Sequence, residues 1–271
     1  MKKMKRYIRI ILWLALAVGL AGTLYRLYDD GNALADRAEA ARIAGLAGAG
    51  LAEPGPSGAV QSAPPEAVPT GEPLPEEAAR LAGLDLAALQ AVNEDIVGWL
   101  EIPGTELSYP LVQGQDNRFY LSHNWKKEAS SAGSVFLEQT NSRDLSGFHL
   151  IAYAHRMRSD AMFGTLKYYA DPDFCRQHPS IYLVDRSAVR RYDIFAVHKA
   201  GVKGLVYRLD LEESGLEEEF IRDCLEASVI DTGVIPEAGA QVLTLSTCTE
   251  RGYSSRWVVQ GVLAAQYEIP D

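Results

Sequence analysis

The segment TLSTCTERGYSSRW, residues 244–257, contains Cys248, and Arg256 follows it eight positions later. His155 ends a separate apolar run, FHLIAYAH. A cysteine thiolate is a nucleophile, an imidazole donates and accepts protons near neutral pH, and a guanidinium stabilises developing negative charge. The three residue types therefore favour covalent chemistry at the thiol, with His155 as acid and base and Arg256 as the charge stabiliser.

The period of a β-strand predicts where the thiol lies. Alternation along QVLTLSTC divides the side chains into two faces, with Leu243, Leu245 and Thr247 on one and Thr244, Ser246 and Cys248 on the other. Arg256 opens the next apolar segment. If residues 249–255 join two neighbouring strands, Cys248 and Arg256 emerge at the same end of the sheet. Spacing alone does not place His155 beside them.

The elements that must position these residues are mostly short strands. Beyond Ile102, apolar or alternating runs are separated by Gly, Pro, Asn and Asp. The predicted strands are LSYPLV, GSVFLE, FHLIAYAH, SIYLVD, RRYDIFAVHK, VLTLST and SRWVVQGVLAAQYEI. So many short strands in one domain favour a sandwich or a closed barrel. A helix with acidic first turns is predicted over 212–228, and helical spacing after Pro75 predicts one or two helices that lead into Trp99.

The N-terminus combines positive charge with an apolar run. The first 30 residues carry six Lys or Arg and two Asp, a local charge of +4, and no charged residue falls between Ile10 and Tyr25. This pattern predicts a transmembrane anchor within residues 1–28, in which residues 7–28 contact the lipid bilayer. Basic residues before the run place the N-terminus in the cytoplasm and the rest of the chain outside the cell membrane. A cleaved signal peptide is the alternative, but no small-x-small site follows closely.

Composition divides the remaining chain in two. Residues 29–74 are rich in Ala, Pro and Gly, which predicts an extracellular spacer. Its Ala-rich start, residues 30–52, can form a helix, and a Pro-rich ligand for another domain is the alternative for the rest. A globular catalytic domain is predicted over 75–271. The chain of 271 residues is 47% hydrophobic, enough for a substantial core. Its net charge of −10 leaves −14 after residue 30, which disfavours nucleic acid as a partner.

The other candidate ligands and thiols lack a chemical context. Cys175 and Cys224 are predicted to be buried free thiols, with a disulfide as the alternative. The remaining histidines, His123, His149, His178 and His198, show no ligand spacing. The acidic run at 217–219 is typical of a solvated helix face. We therefore expect neither a metal nor another cofactor.

The TLSTC segment with an arginine shortly after it resembles the signature of sortases. Class B of that family is indicated by NEDIVGWLEIPGTELSYPLVQGQDNRFYL, GSVFLEQTN and YAHRMRSDAMFGTLKYYAD, and by the helix before the cysteine strand. The resemblance covers about residues 80–267. Class B usually has Gly and Asn where this chain has Ala154 and Arg156. Both departures flank His155 without replacing it.

The resemblance implies a mainly-β fold, a closed sortase-like barrel of seven or eight strands with N-terminal helices. It also implies a membrane-anchored cysteine transpeptidase of Gram-positive bacteria. Such enzymes cleave an Asn-Pro-x-Thr-type C-terminal sorting signal of a secreted protein after its threonine and hold the acyl group as a thioester. They pass it to an amino group of a peptidoglycan precursor or a pilin.

The family's functional residues carry over by motif. Cys248 becomes the nucleophile, His155 the acid and base, and Arg256 the donor to the substrate and its oxyanion. The candidate substrate-contacting residues are Asn141, Ser246, Thr247 and Glu250. Thr247 and the backbone N–H after Cys248 are also candidates for the oxyanion site.

Three other functions match parts of the sequence. A papain-like peptidase places its cysteine before its histidine, whereas His155 precedes Cys248 here. An L,D-transpeptidase usually carries an arginine two residues after the thiol, so the spacing disfavours it as well. A non-catalytic surface-binding module needs no thiol. Labelling of Cys248 by a thiol-reactive probe in the folded protein separates an enzyme from such a module.

Overall fold

The structure, a computed structural model, describes residues 2–46, 74–248 and 255–269. The α-helices in these ranges are α1 (Lys2–Ile43), α2 (Glu76–Ala82), α3 (Leu86–Val92), α4 (Pro172–Gln177), α5 (Leu211–Ser214) and α6 (Glu217–Ala227). The strands are β1 (Ile96–Glu101), β2 (Ser108–Val112), β3 (Val135–Leu137), β4 (His149–Ala154), β5 (Ser180–Val184), β6 (Ala188–Gly201), β7 (Val242–Cys248) and β8 (Ser255–Glu268). Short 3₁₀ helices cover Phe119–Leu121, Gly164–Ala170 and Leu205–Tyr207.

The eight strands close into a barrel in the order β1-β2-β3-β4-β7-β8-β6-β5. Neighbouring strands are antiparallel, except that β2 runs parallel to β3 and β4 runs parallel to β7. A parallel pair needs a long crossover, and the chain between β4 and β7 supplies it through β5, β6, three α-helices and two 3₁₀ helices. The closed barrel predicted from the sequence is confirmed, and the sandwich alternative is excluded.

Apolar side chains fill the barrel and also cover parts of its outside. Leu100, Leu150 and Leu245 are fully buried in the interior cluster. A second cluster lies beneath α2 and α3, and a third joins Phe220 of α6 to Val242 and other outward-facing residues. The alternation predicted for β7 is therefore confirmed, because Leu245 faces the barrel interior while Val242 packs beneath α6.

Strand β1 was missed by the sequence prediction, which extended helical structure to Trp99. All six β1 residues are buried, so the strand lacks the alternation that marks a half-exposed one. Gly98 lies at a register shift in the β1–β2 pairing. A Cβ added there would lie 2.3 Å from the Val184 carbonyl oxygen, so glycine permits this close approach of β1 and β5.

The helix predicted over 212–228 is divided into α5 and α6. Gly215 ends α5 with a φ of 62°, in the left-handed region where glycine avoids the steric penalty of a side chain. Helix α6 then begins with Glu217, Glu218 and Glu219, which its positive N-terminal end favours.

Helix α1 continues into the region predicted as a spacer. Ala33 of α1 is buried against the interior cluster, and Ala40 and Ala44 are buried in the cluster beneath α2 and α3. The Pro-rich part of the predicted spacer, residues 47–73, lies outside the described residues. Within the ranges that the structure describes, no helix is long and apolar enough to cross a membrane. The transmembrane anchor stays a prediction.

Candidate active site

The barrel brings the three predicted catalytic residues to one edge. In the parallel β4–β7 pair, Ala154 is the register partner of Thr247. The residues that follow them, His155 after β4 and Cys248 in β7, therefore lie next to each other. In the antiparallel β7–β8 pair, Cys248 is the partner of Arg256. Adjacent strands lie about 4.8 Å apart. The backbone therefore arranges His155, Cys248 and Arg256 in a row across three neighbouring strands, which we call the catalytic row.

The His155 imidazole is held from one side by a backbone carbonyl. Its Nε2 lies 2.7 Å from the Leu121 carbonyl oxygen, which can only accept, so Nε2 carries the hydrogen. In the neutral ring, Nδ1 then has the lone pair. The backbone of His155 is also held, because the Phe163 N–H donates to its carbonyl oxygen at 3.1 Å. The half-buried ring is thus oriented by one segment before it in the chain and one after it.

The guanidinium of Arg256 is half-buried and contributes positive charge near the row. Its Nη1 donates to the Ser255 carbonyl oxygen at 3.2 Å. Burial raises the pKa of the Tyr153 phenol, the Glu138 carboxylate raises it further, and Arg256 opposes the rise. Arg256 therefore contributes positive potential at the Tyr153 hydroxyl, on the residue two positions before His155.

Two tyrosines beside the row were not identified from the sequence. Tyr153 lies two residues before His155, is the register partner of Ser246, and donates to Glu138 Oε2 at 2.9 Å. Tyr207 comes from the 3₁₀ helix after β6, and its hydroxyl lies 2.9 Å from Ser246 Oγ. The period of β4 would have placed Tyr153 on the same face as His155, whereas no local signal indicated Tyr207.

The segment that carries Tyr207 is fixed by a buried histidine. His149 Nδ1 donates to the Arg208 carbonyl oxygen at 3.1 Å, and its Nε2 accepts from Thr244 Oγ1 at 2.8 Å. Gln260 Nε2 donates to the same hydroxyl oxygen at 3.1 Å. Burial lowers the pKa of His149 to about 4, so the ring is neutral at physiological pH. His149 is therefore a structural residue that secures this segment to the barrel.

Thr247 differs from Thr244 and Ser246 in β7 because its hydroxyl has no hydrogen-bond partner within the part of the chain that the structure describes. The residue is 1% exposed, and Oγ1 has no partner among the described residues. A buried hydroxyl without a partner costs about 1–3 kcal/mol. Such a group directly before Cys248 is a potential donor to a reacting molecule at the barrel edge.

The other candidate substrate contacts have different positions. Asn141 donates through Nδ2 to the His149 carbonyl oxygen at 2.8 Å and accepts through Oδ1 from the Ile151 N–H at 2.9 Å. Its side chain thus holds the first half of β4, about 13–20 Å along the strand from His155. Glu250 lies in the stretch 249–254, outside the described residues. The buried free thiols predicted at Cys175 and Cys224 are confirmed.

Comparison with known proteins places this geometry in a family. A family model of the sortase domain matches residues 100–264. Sortase B of Listeria monocytogenes is 34% identical over 184 residues, which cover 67% of this chain and 75% of that protein. Sortase B of Staphylococcus aureus is 30% identical over 167 residues, which cover 62% of this chain and 68% of that protein.

Solved structures show the same fold. The Staphylococcus aureus sortase B–substrate complex matches with a TM-score of 0.62 at 28% identity, covering 65% of this chain and 83% of that one. Sortase B from Listeria monocytogenes matches with a TM-score of 0.59 at 34% identity, covering 66% and 99%. The family match includes every residue of the catalytic row. The chain therefore belongs to the sortase family, and within it to class B, whose members are cysteine transpeptidases.

Proposed function

We propose that this enzyme cleaves an Asn-Pro-x-Thr-type sorting signal after the threonine and transfers the secreted protein to an amino group of the cell wall. The observation that carries the proposal is the catalytic row, in which a nucleophile, an acid–base group and a fixed positive charge lie side by side at one edge of three adjacent strands. The family resemblance supports the signal type. The proposed acceptor is an amine of a peptidoglycan precursor. A lysine of a pilin is the alternative acceptor, because it has the same amino group.

The row accounts for both halves of the reaction. The Cys248 thiol passes its proton to His155, the resulting thiolate attacks the threonine carbonyl carbon, a C–S bond forms, and Arg256 stabilises the oxyanion. The oxyanion collapses, the C–N bond breaks, and His155 protonates the departing amine. The acceptor amine then attacks the thioester and loses a proton to His155. The thiolate leaves and Cys248 is restored.

The same proposal includes attachment to a membrane through residues 7–28. Basic residues precede the apolar run, and several of its side chains are exposed on α1: Ile11, Trp13, Leu14, Leu16, Val18, Leu20 and Leu24. Exposed apolar side chains in such number are favoured in contact with lipid. We propose that the N-terminus lies in the cytoplasm and the barrel outside, where sorting signals and wall precursors are accessible.

A peptide panel tests the proposed activity. The full chain in detergent is incubated with a fluorescent Asn-Pro-x-Thr peptide, a variant with leucine as first residue, and a scrambled peptide, and the products are separated by mass spectrometry. We expect cleavage only after threonine and fastest in the first peptide. Adding a glycine-based amine should replace the free acid by a threonine–amine product. Cleavage at another bond, or equal cleavage of all three peptides, would contradict the proposal.

The Thr247 hydroxyl, which bonds to none of the described residues, leads to a prediction in which the free energy of unfolding rises while kcat falls. Valine has nearly the same shape and no hydroxyl, so Thr247→Val should raise the free energy of unfolding by about 1 kcal/mol. If the hydroxyl donates to the oxyanion, kcat should fall about tenfold or more. Chemical denaturation and steady-state peptide cleavage measure the two effects.

Thr244→Val is the matched control in the same strand. The Thr244 hydroxyl bonds to both His149 and Gln260, so its loss should lower the free energy of unfolding by about 1 kcal/mol or more. A stabilised Thr247→Val protein with unchanged kcat would show that this hydroxyl has no part in the reaction.

A further inference from the structure

The C-terminal part of α1 lies against the two segments that hold His155. One segment, residues 119–126, contains the Leu121 carbonyl that accepts the hydrogen bond from the imidazole. The other, residues 156–163, follows His155 and returns to its backbone through Phe163. Residues 30–44, the C-terminal part of α1 and the residue after it, contact both, and we call them the docking segment.

Asp36 and Glu39 connect the docking segment to the first segment, residues 119–126. Asn124 Nδ2 donates to both Asp36 carboxylate oxygens at 3.1 Å, and Trp125 Nε1 donates to the Asp36 carbonyl oxygen at 3.0 Å. Lys126 pairs with Glu39 at 2.8 Å. Three consecutive side chains, beginning three residues after Leu121, therefore bond to α1. Asn124 Nδ2 and Lys126 Nζ also contact Glu128 Oε2, at 3.0 and 3.2 Å.

Asp30 and Arg37 connect the docking segment to the second segment, residues 156–163. Ser159 Oγ donates to Asp30 Oδ1 at 2.8 Å. Arg37 Nη1 donates to the Glu106 carbonyl oxygen at 2.7 Å, pairs with the Glu106 carboxylate, and lies 5.9 Å from the centre of the Tyr109 ring.

Tyr109 carries this contact onward to the segment after His155. The Met162 N–H donates to the Tyr109 hydroxyl at 2.9 Å. Met162 directly precedes Phe163, whose N–H donates to the His155 carbonyl oxygen. Arg37 is only 6% exposed, so its charge depends on Glu106 for a partner.

We propose that the docking segment of α1 positions the His155 imidazole, so that a helix outside the barrel is required for full catalytic efficiency. The inference rests on the proposed function, because it treats His155 as the acid–base group. The physical reason is geometric. The Leu121 carbonyl holds the His155 ring and the Phe163 N–H holds the His155 backbone, and α1 contacts both segments to which these two residues belong. A displacement of about 1 Å of a catalytic group lowers the rate about 10²-fold.

The test compares two arginines of the same helix in the full chain. Arg37→Ala removes the buried side chain, whereas Arg42→Ala removes an exposed one five residues later. Asp36→Ala is a second variant that affects the other segment. Peptide cleavage is measured at a temperature well below every variant's melting temperature. We expect kcat to fall about tenfold or more in Arg37→Ala and Asp36→Ala with KM little changed, and Arg42→Ala to match the wild type.

A second readout does not depend on peptide turnover. The rate at which iodoacetamide alkylates Cys248, followed by peptide mapping across pH, reports how strongly His155 influences the thiolate. A change in this pH profile in both variants, but not in Arg42→Ala, supports positioning of His155. Lowered melting temperatures with unchanged kcat and an unchanged alkylation profile would overturn it. A wild-type protein that cleaves no peptide would refute the proposed function, and the alkylation profile would still decide the role of α1.

Discussion

Cys248→Ala should reduce cleavage of an Asn-Pro-x-Thr peptide by about 10³-fold or more, to the background of the assay. Alanine has no nucleophile, so neither the thioester nor the transfer product can form. The fold should be retained, because Cys248 is the last residue of β7 and the barrel pairs through its backbone. Initial rates and circular dichroism of the two proteins measure the effects.

The two other cysteines provide matched controls. Burial raises the pKa of the Cys175 thiol to about 11 and that of the Cys224 thiol to about 12, so both are protonated at neutral pH. Cys175→Ala and Cys224→Ala should lower the melting temperature and leave kcat within a factor of about two of the wild type. Cleavage by Cys248→Ala within tenfold of the wild-type rate would exclude Cys248 as the nucleophile.

Arg256→Lys should lower kcat about 10²-fold although it retains the charge. A guanidinium has donors in a fixed planar arrangement and can bond to an oxyanion and a neighbouring carbonyl together, whereas an ammonium is a compact point charge. The negative charge develops only during attack by the thiolate. We therefore expect the loss mainly in kcat, with a smaller change in KM.

An exposed arginine separates this effect from a general response to the substitution. Arg222 lies on α6, and its side chain is 60% exposed. Arg222→Lys should leave kcat and the melting temperature unchanged, since exposed pairs contribute about 0–1 kcal/mol. If Arg256→Lys retains the wild-type kcat and only melts at a lower temperature, then Arg256 is a structural residue and the row contains two catalytic groups.

The strands that the sequence predicted correctly are those with turn residues at both ends. Seven of the eight described strands coincide with apolar or alternating runs that are bounded by Gly, Pro, Asn or Asp, and such a run is a local signal in the sequence. Strand β1 follows α3 closely and is buried throughout, so its apolar run could not be distinguished from a buried helix.

The arrangement of the catalytic row is less accessible to sequence reasoning. Arg256 follows Cys248 closely, and an antiparallel connection between their strands was the simplest expectation. His155 lies more than 90 residues before Cys248, and its position depends on the parallel pairing of β4 with β7. That pairing is decided by closure of the whole barrel, so only the family resemblance indicated it in advance.

The packing of the docking segment against the barrel was hidden by its composition. Ala33, Ala40 and Ala44 give a weak apolar stripe, and the surrounding Ala-rich sequence resembles a spacer. Small side chains allow the helix to approach the barrel closely, and the contacts of Asp36 and Arg37 involve partners that are far away in the chain. Long-range polar contacts of this kind have no local sequence signal.

The most direct test of the central claim is to trap the thioester. The wild-type protein is mixed with an excess of Asn-Pro-x-Thr peptide, quenched with acid within the first turnovers, and analysed by intact mass and peptide mapping. The mechanism predicts an added mass equal to the peptide fragment that ends in threonine, attached to Cys248 and released by hydroxylamine. Turnover of the peptide without any such adduct, or an adduct on a residue other than Cys248, would contradict it.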